Sequence, residues 1–211
     1  MSSLNYSNDQ SYFESALIYL GGLATTPNFV KISFVDLEEF FLMGTSFCFV
    51  DARLTRTFEY WVAKYGKLLS PKRLCKLIEK GDLAIDFQCL GPLLSIIDHK
   101  FPRGKFASLE TYCKIGELKK MFPYLLKSMR RDERWEKYGI IAPVFQSIEE
   151  SHFLRNEKYV CDHCPEIRFR IMGVSPMRSN LLAYRARFPK LSLYRVAKDL
   201  DLTYAFAHRS S

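Results

Sequence analysis

At 211 residues, with 48% hydrophobic and 26% charged side chains, the chain has the make-up of one sizeable helical domain, or of a domain with a small appended module, which argues against a disordered polymer. Its longest apolar run, Phe40 to Val50, is broken by Gly44, Thr45 and Ser46 and is too short to span a membrane. The net charge of +8 is lopsided: residues 1–100 hold 10 Lys and Arg against 11 Asp and Glu, whereas residues 101–211 hold 21 against 12.

A basic rear half suits a polyanion, although a merely solvated basic face has the same composition. No basic stretch precedes an apolar one at the N-terminus, as a secretory signal requires. The six Cys fall mostly singly within apolar patterns, as buried free thiols do, and this places the chain in a reducing cytoplasm.

In chain order the punctuation is helical. Asn8 or Asp9 caps a helix through YFESALIYL that Gly21-Gly22 stops. Ser33, three residues ahead of Asp36, opens SFVDLEEFFLMG, with Gly44 as its stop. Asp51 caps the next helix, which sets Leu54, Phe58, Trp61 and Val62 on one face before Gly66. SPKRLCKLIEKG carries a full set of signals in Ser70, Pro71 and Gly81.

Further on, helices are expected over Leu83 to His99, with a break at Gly91-Pro92, and from a cap at Ser108 through LETYCKIGELKKMF. Another is expected from Pro123 through YLLKSMRRDERWEKYG, a charged face whose Arg130, Arg131 and Arg134 are secondary candidates for phosphate contact. Asp82 and Asp86, four apart, would share a helix face. Phe29 to Val35 and Glu166 to Met172 alternate apolar and polar residues, which is the strand pattern.

The last stretch, LSLYRVAKDLDLTYAFAHRSS, reads as two short helices around a turn. Ser175-Pro176 opens a first helix through PMRSNLLAYRARF, Ser192 caps a second, and Thr203 caps a third. Ala197 gives the small residue a steep helix crossing demands, while Val196, Leu200 and Leu202 fix the angle by burying themselves. In Val196-Ala197, Leu200, Leu202 and Thr203 this stretch resembles the helix-turn-helix of prokaryotic DNA-binding regulators, over about a tenth of the chain, with Asp201 where Gly is usual and Ala207 where Val or Ile is usual.

The resemblance implies an outward set for base and phosphate contact: Tyr204, Ala205, Phe206, His208 and Arg209. Thr203 suits a phosphate, and Arg185, Arg187, Arg195 and Lys198 flank the set as backbone contacts. Helix pairs with an Ala at their crossing also occur in all-α proteins that never touch DNA.

Cys161 and Cys164 form a C-x-x-C, a spacing at which two thiolates can grip Zn²⁺, with His152 as a third candidate ligand. Ordinary thiols in a turn have the same spacing. No catalytic motif with a nucleophile, phosphate-cradling glycine loop or zinc-hydrolase signature is present, so the chain leans away from an enzyme.

The expected fold is mainly α: a multi-helix body over 1–150, a connector over 151–174 with the C-x-x-C, and a three-helix helix-turn-helix-like unit over 175–211. The expected function is a cytoplasmic DNA-binding protein, a transcriptional regulator or antitoxin-like repressor, that contacts duplex DNA while its body forms a homodimer or binds a protein partner. The alternative is a helical protein–protein interaction module, an adaptor in a defence or toxin–antitoxin complex. Burial of Tyr204, Phe206 and Arg209 distinguishes the two. A nucleic-acid-modifying enzyme would instead need carboxylates or His gathered in one pocket.

Overall fold

Side-chain caps set the helix starts in the front half of the chain. The computed structural model of the protein describes residues 10–23, 31–116, 120–122, 130–144 and 153–210. Asp36 accepts from the N–H groups of Glu38 and Glu39 to begin α2 (Leu37–Phe47), with α1 (Gln10–Tyr19) ahead of it. Asp51 accepts from Leu54 to begin α3 (Ala52–Tyr65), and Ser70 from Arg73 to begin α4 (Pro71–Lys80). Each supplies an acceptor that the first turn lacks.

The α4 signals all hold, with Pro71 at the first position and Gly81 left-handed at φ 73 after the last turn. The expected α1 caps, Asn8 and Asp9, lie outside the described residues.

Several extents differ from the sequence expectation. α2 continues through Gly44, because that glycine serves packing: a Cβ there would come within 2.1 Å of the Phe58 ring. α5 (Phe87–Ile97) begins at the Asp86 cap and runs unbroken through Gly91-Pro92. Asp82 and Asp86 therefore share no helix face; they pair with Lys80 and Lys120 respectively.

After Ser108 only a 3₁₀ helix forms, over Ala107–Tyr112. Beyond it the backbone donors of Lys114 and Gly116 go to the carbonyls of Phe87 and Tyr138, so remote partners replace the helical ladder. α6 (Glu133–Glu136) is a single turn, and residues 123–129 are not among those described. Two short parallel strands, β1 (Lys120–Met121) and β2 (Ile140–Ile141), pair Lys120 with Ile140. Residues 31–35, expected as part of a strand, form none.

The main core is aromatic. Phe13 stacks on Phe40 with centroids 5.1 Å apart, and Phe40 meets Trp61 edge-on at 4.8 Å. The segment expected as a connector joins this core as α7 (Glu157–His163) and α8 (Pro165–Ile171), which bury Val160, Cys164 and Ile167. The strand expected at Glu166 to Met172 is thus a helix. Its alternation misleads because Arg170, counted as outward, turns inward to an ion pair with Glu38.

Three more helices, α9 (Pro176–Arg187), α10 (Leu193–Asp199) and α11 (Tyr204–Ser210), enclose a second, smaller core. Leu181, Val196, Ala197 and Ala207 are buried in it, with Tyr184, Leu193, Leu200 and Leu202 packed around them. The fold is mainly α, a multi-helix body with this C-terminal unit against it.

Candidate nucleic-acid interface

Local chemistry builds the C-terminal unit. Ser192 accepts from the Arg195 N–H to start α10, and Thr203 accepts from the Phe206 N–H at 3.2 Å to start α11. Between them Asp201 stands at φ 52, the left-handed position of a helix end. There the N–H of Leu202 returns to the Ala197 carbonyl at 2.8 Å and that of Asp201 to the Lys198 carbonyl. This double closure, with Leu202 tucked beneath, is what reverses the chain. Ala207 is wholly buried, so its small size lets α11 sit close to its neighbours.

A buried polar joint fixes the unit to the body. Arg170 of α8 donates to both oxygens of Glu38 at 2.8 and 2.9 Å, to the Leu68 carbonyl, and to Asn180 of α9 at 3.1 Å. Asn180 in turn donates to Asp36 at 2.7 Å, and Asp36 is held by Arg73 as well. Burial pushes the Glu38 carboxyl up, while the Arg170 hydrogen bonds pull it down. Nearby, Ser179 donates to the Glu166 carbonyl, and Phe34 meets Tyr184 edge-on at 5.1 Å.

The outward surface differs in kind. Tyr204, Ala205, His208 and Arg209 are exposed on α11, and Phe206 is half-buried, the one aromatic that turns inward. Arg185, Lys198 and Thr203 are exposed. Arg195 is exposed and, among the described residues, paired only with Asp199, one turn along its own helix, at 2.9 Å. Arg187 is exposed but committed, donating to the Tyr19 hydroxyl at 2.7 Å and to the His163 carbonyl. Of the secondary candidates, Arg134 is tied to Asp132 and Arg131 to Glu136, while Arg130 is exposed.

One residue escaped the sequence reading. Tyr194 is 67% exposed, and its ring lies 6.4 Å from that of Tyr204, itself 52% exposed and 6.2 Å from His208. Its signal was its phase: with Leu193, Val196, Ala197 and Leu200 inward, Tyr194 must face out.

The cysteine pair sits at the end of α7. The Cys164 thiol is buried and donates to the Tyr19 carbonyl, while Cys161 is partly exposed and His152 lies outside the described residues. Burial pushes the Cys164 thiol up to about 12, aided by Glu166, and Cys161 is raised by burial with Glu157 and Asp162. Metal ligation needs thiolates, and these surroundings favour thiols. Among the described residues no group of three or more His, Cys, Asp or Glu is placed to hold a metal ion. No helix among them is long and apolar enough to cross a membrane.

Comparison with protein-family models, with curated proteins and with solved structures finds no match to this chain.

Proposed function

We propose that the protein binds duplex DNA through α10 and α11, as a cytoplasmic transcriptional regulator or antitoxin-like repressor whose body forms a homodimer or holds a protein partner. The observation that carries this is the division of α11: Ala207 anchors it in the small core while Tyr204, His208 and Arg209 stay exposed. A helix whose only role was to complete the core would turn its large side chains inward. Here Ala207 is the buried apolar residue, and the one aromatic that turns inward, Phe206, is only half-buried. Exposed tyrosines interleaved with Arg195, Lys198 and Arg209 match what a duplex offers, anionic backbone and apolar base edges.

The test is a gel-shift titration of mixed-sequence duplex at low salt, wild type against Arg195→Ala plus Arg209→Ala. The expected result is binding by the wild type, weakened about tenfold or more in the double variant. No binding, or equal binding by both, refutes the proposal.

The second reading, an adaptor that docks on another protein, is favoured by Ile171, Met172 and Met177, large apolar side chains exposed around the turn from α8 to α9. On that reading the double variant keeps its partner and the wild type ignores DNA.

A further inference from the structure

Where α7, α8 and the last turn of α9 meet, a notch of about 250 Å³ is lined by Asp162, His163, Pro165, Arg168, Ala186 and Arg187. Two guanidinium groups and an imidazole come to it from three different helices. Arg187 is held in place by its own bonds: one terminal nitrogen serves both the Tyr19 hydroxyl and the His163 carbonyl, and the guanidinium lies 5.4 Å from the Tyr19 ring centre. Its Nε and other terminal nitrogen have no acceptor among the described residues.

Arg168 is less committed still. Its guanidinium rests 5.2 Å from the Phe169 ring, and it forms no hydrogen bond or ion pair among the described residues. The third group is His163. Its Nδ1 faces the Tyr159 carbonyl at 2.8 Å and so carries a proton, and its ring stacks on Tyr159 at 4.1 Å. That leaves Nε2 as the nitrogen free to meet a ligand.

Two carboxylates stand near. Asp162 lines the notch without pairing to either arginine among the described residues, and Glu166, which accepts from the Tyr19 hydroxyl, stands behind Arg187 as a partial counter-charge. Guanidiniums that converge on one small cavity repel each other unless an anion bridges them. Their planar forks match phosphate oxygens two at a time, and a tetrahedral group can be met from three sides.

We infer that this notch is a phosphate-binding site, with Arg168 and Arg187 as its forks and the His163 ring lining it beside them. The phosphate belongs either to a nucleic-acid strand or to a free phosphorylated small molecule, which present the same chemistry. The site does not depend on α11 reading DNA.

The experiment is calorimetric titration of inorganic phosphate into the full chain, for wild type, Arg168→Ala and Arg209→Ala, alongside duplex DNA titrations of the same three. Arg168 is exposed and unpaired among the described residues, so its removal leaves the fold intact, as a thermal melt checks. A free-phosphate site gives saturable binding that weakens about tenfold or more in Arg168→Ala and is unchanged in Arg209→Ala.

A strand-borne phosphate gives no binding of inorganic phosphate. Instead Arg168→Ala weakens DNA binding and lowers the log–log salt slope by about one. The inference is overturned if phosphate binds wild type and Arg168→Ala alike. It is overturned equally if phosphate does not bind and Arg168→Ala leaves the DNA titration unchanged, or the wild type binds neither. Phosphate binding of the expected pattern without any DNA binding keeps the notch and removes the duplex proposal alone.

Discussion

Arg170 and Arg195 are the same chemical group put to opposite uses twenty-five positions apart. The Arg170 side chain is 2% exposed and donates to Glu38, the Leu68 carbonyl and Asn180. The Arg195 side chain is 47% exposed, and its one ion pair among the described residues is with Asp199 on its own helix. A desolvated charge must keep its partners, so Arg170 fixes where α9 lies on the body. A solvated charge costs little to free, so Arg195 can exchange Asp199 for a phosphate. Basic residues of the rear half are thus divided between holding the unit and facing outward.

The largest effect comes from breaking the buried member. Arg170→Ala strips the buried Glu38 of its closest counter-charge, leaving it the Ser70 N–H and a longer pairing with Arg73, and is expected to lower stability by about 3–5 kcal/mol in urea unfolding. A loss under about 1 kcal/mol would mean that the joint does not clamp the unit.

A second buried pair sharpens the contrast through pH. Burial pushes the Glu59 carboxyl up to about 7, against the pull of Arg56, from an ordinary 4.5. The folded state therefore holds this proton more tightly than the unfolded state does. The contribution is full below about pH 4.5 and is lost as pH rises through 7. Glu59→Gln is expected to flatten the stability profile across that window by about 3 kcal/mol. An unchanged slope in melts from pH 4.5 to 8 contradicts the assignment.

Asp201→Gly relieves a left-handed backbone at the turn between α10 and α11 and gives up only a long, exposed pairing with Lys76. It is expected to stabilise the protein by about 0.5–1 kcal/mol, read as a raised midpoint in thermal melts. Arg195→Ala alone, the exposed counterpart of Arg170, is expected to change stability by less than about 0.5 kcal/mol. A larger loss would show that its pairing with Asp199 holds the unit.

What the sequence made legible was whatever depends on near neighbours. The caps at Asp51, Ser70, Ser192 and Thr203 lie within a turn of the groups they satisfy, and each stands where its residue type places it. In the small core, Val196, Ala197 and Leu200 follow from the spacing of their own helix, and Ala207 from the helix-turn-helix resemblance. What stayed hidden depends on distant partners. Arg170 looked outward because its counter-charge, Glu38, is 132 positions away, and for the same reason α8 read as a strand. That one terminal nitrogen of Arg187 is held by Tyr19, from the first helix, was hidden for the same reason. The Gly44 stop failed because the ring filling its place comes from the next helix.

The central claim is that the outward basic residues of α10 and α11, and not the inward arginine, meet a polyanion. Fluorescence polarisation of a labelled duplex across a salt series tests it most directly. The account predicts affinity falling steeply with salt, and a log–log slope reduced by about two in Arg195→Ala plus Arg209→Ala. A wild type that fails to bind at low salt, or a double variant with the wild-type slope, would contradict it.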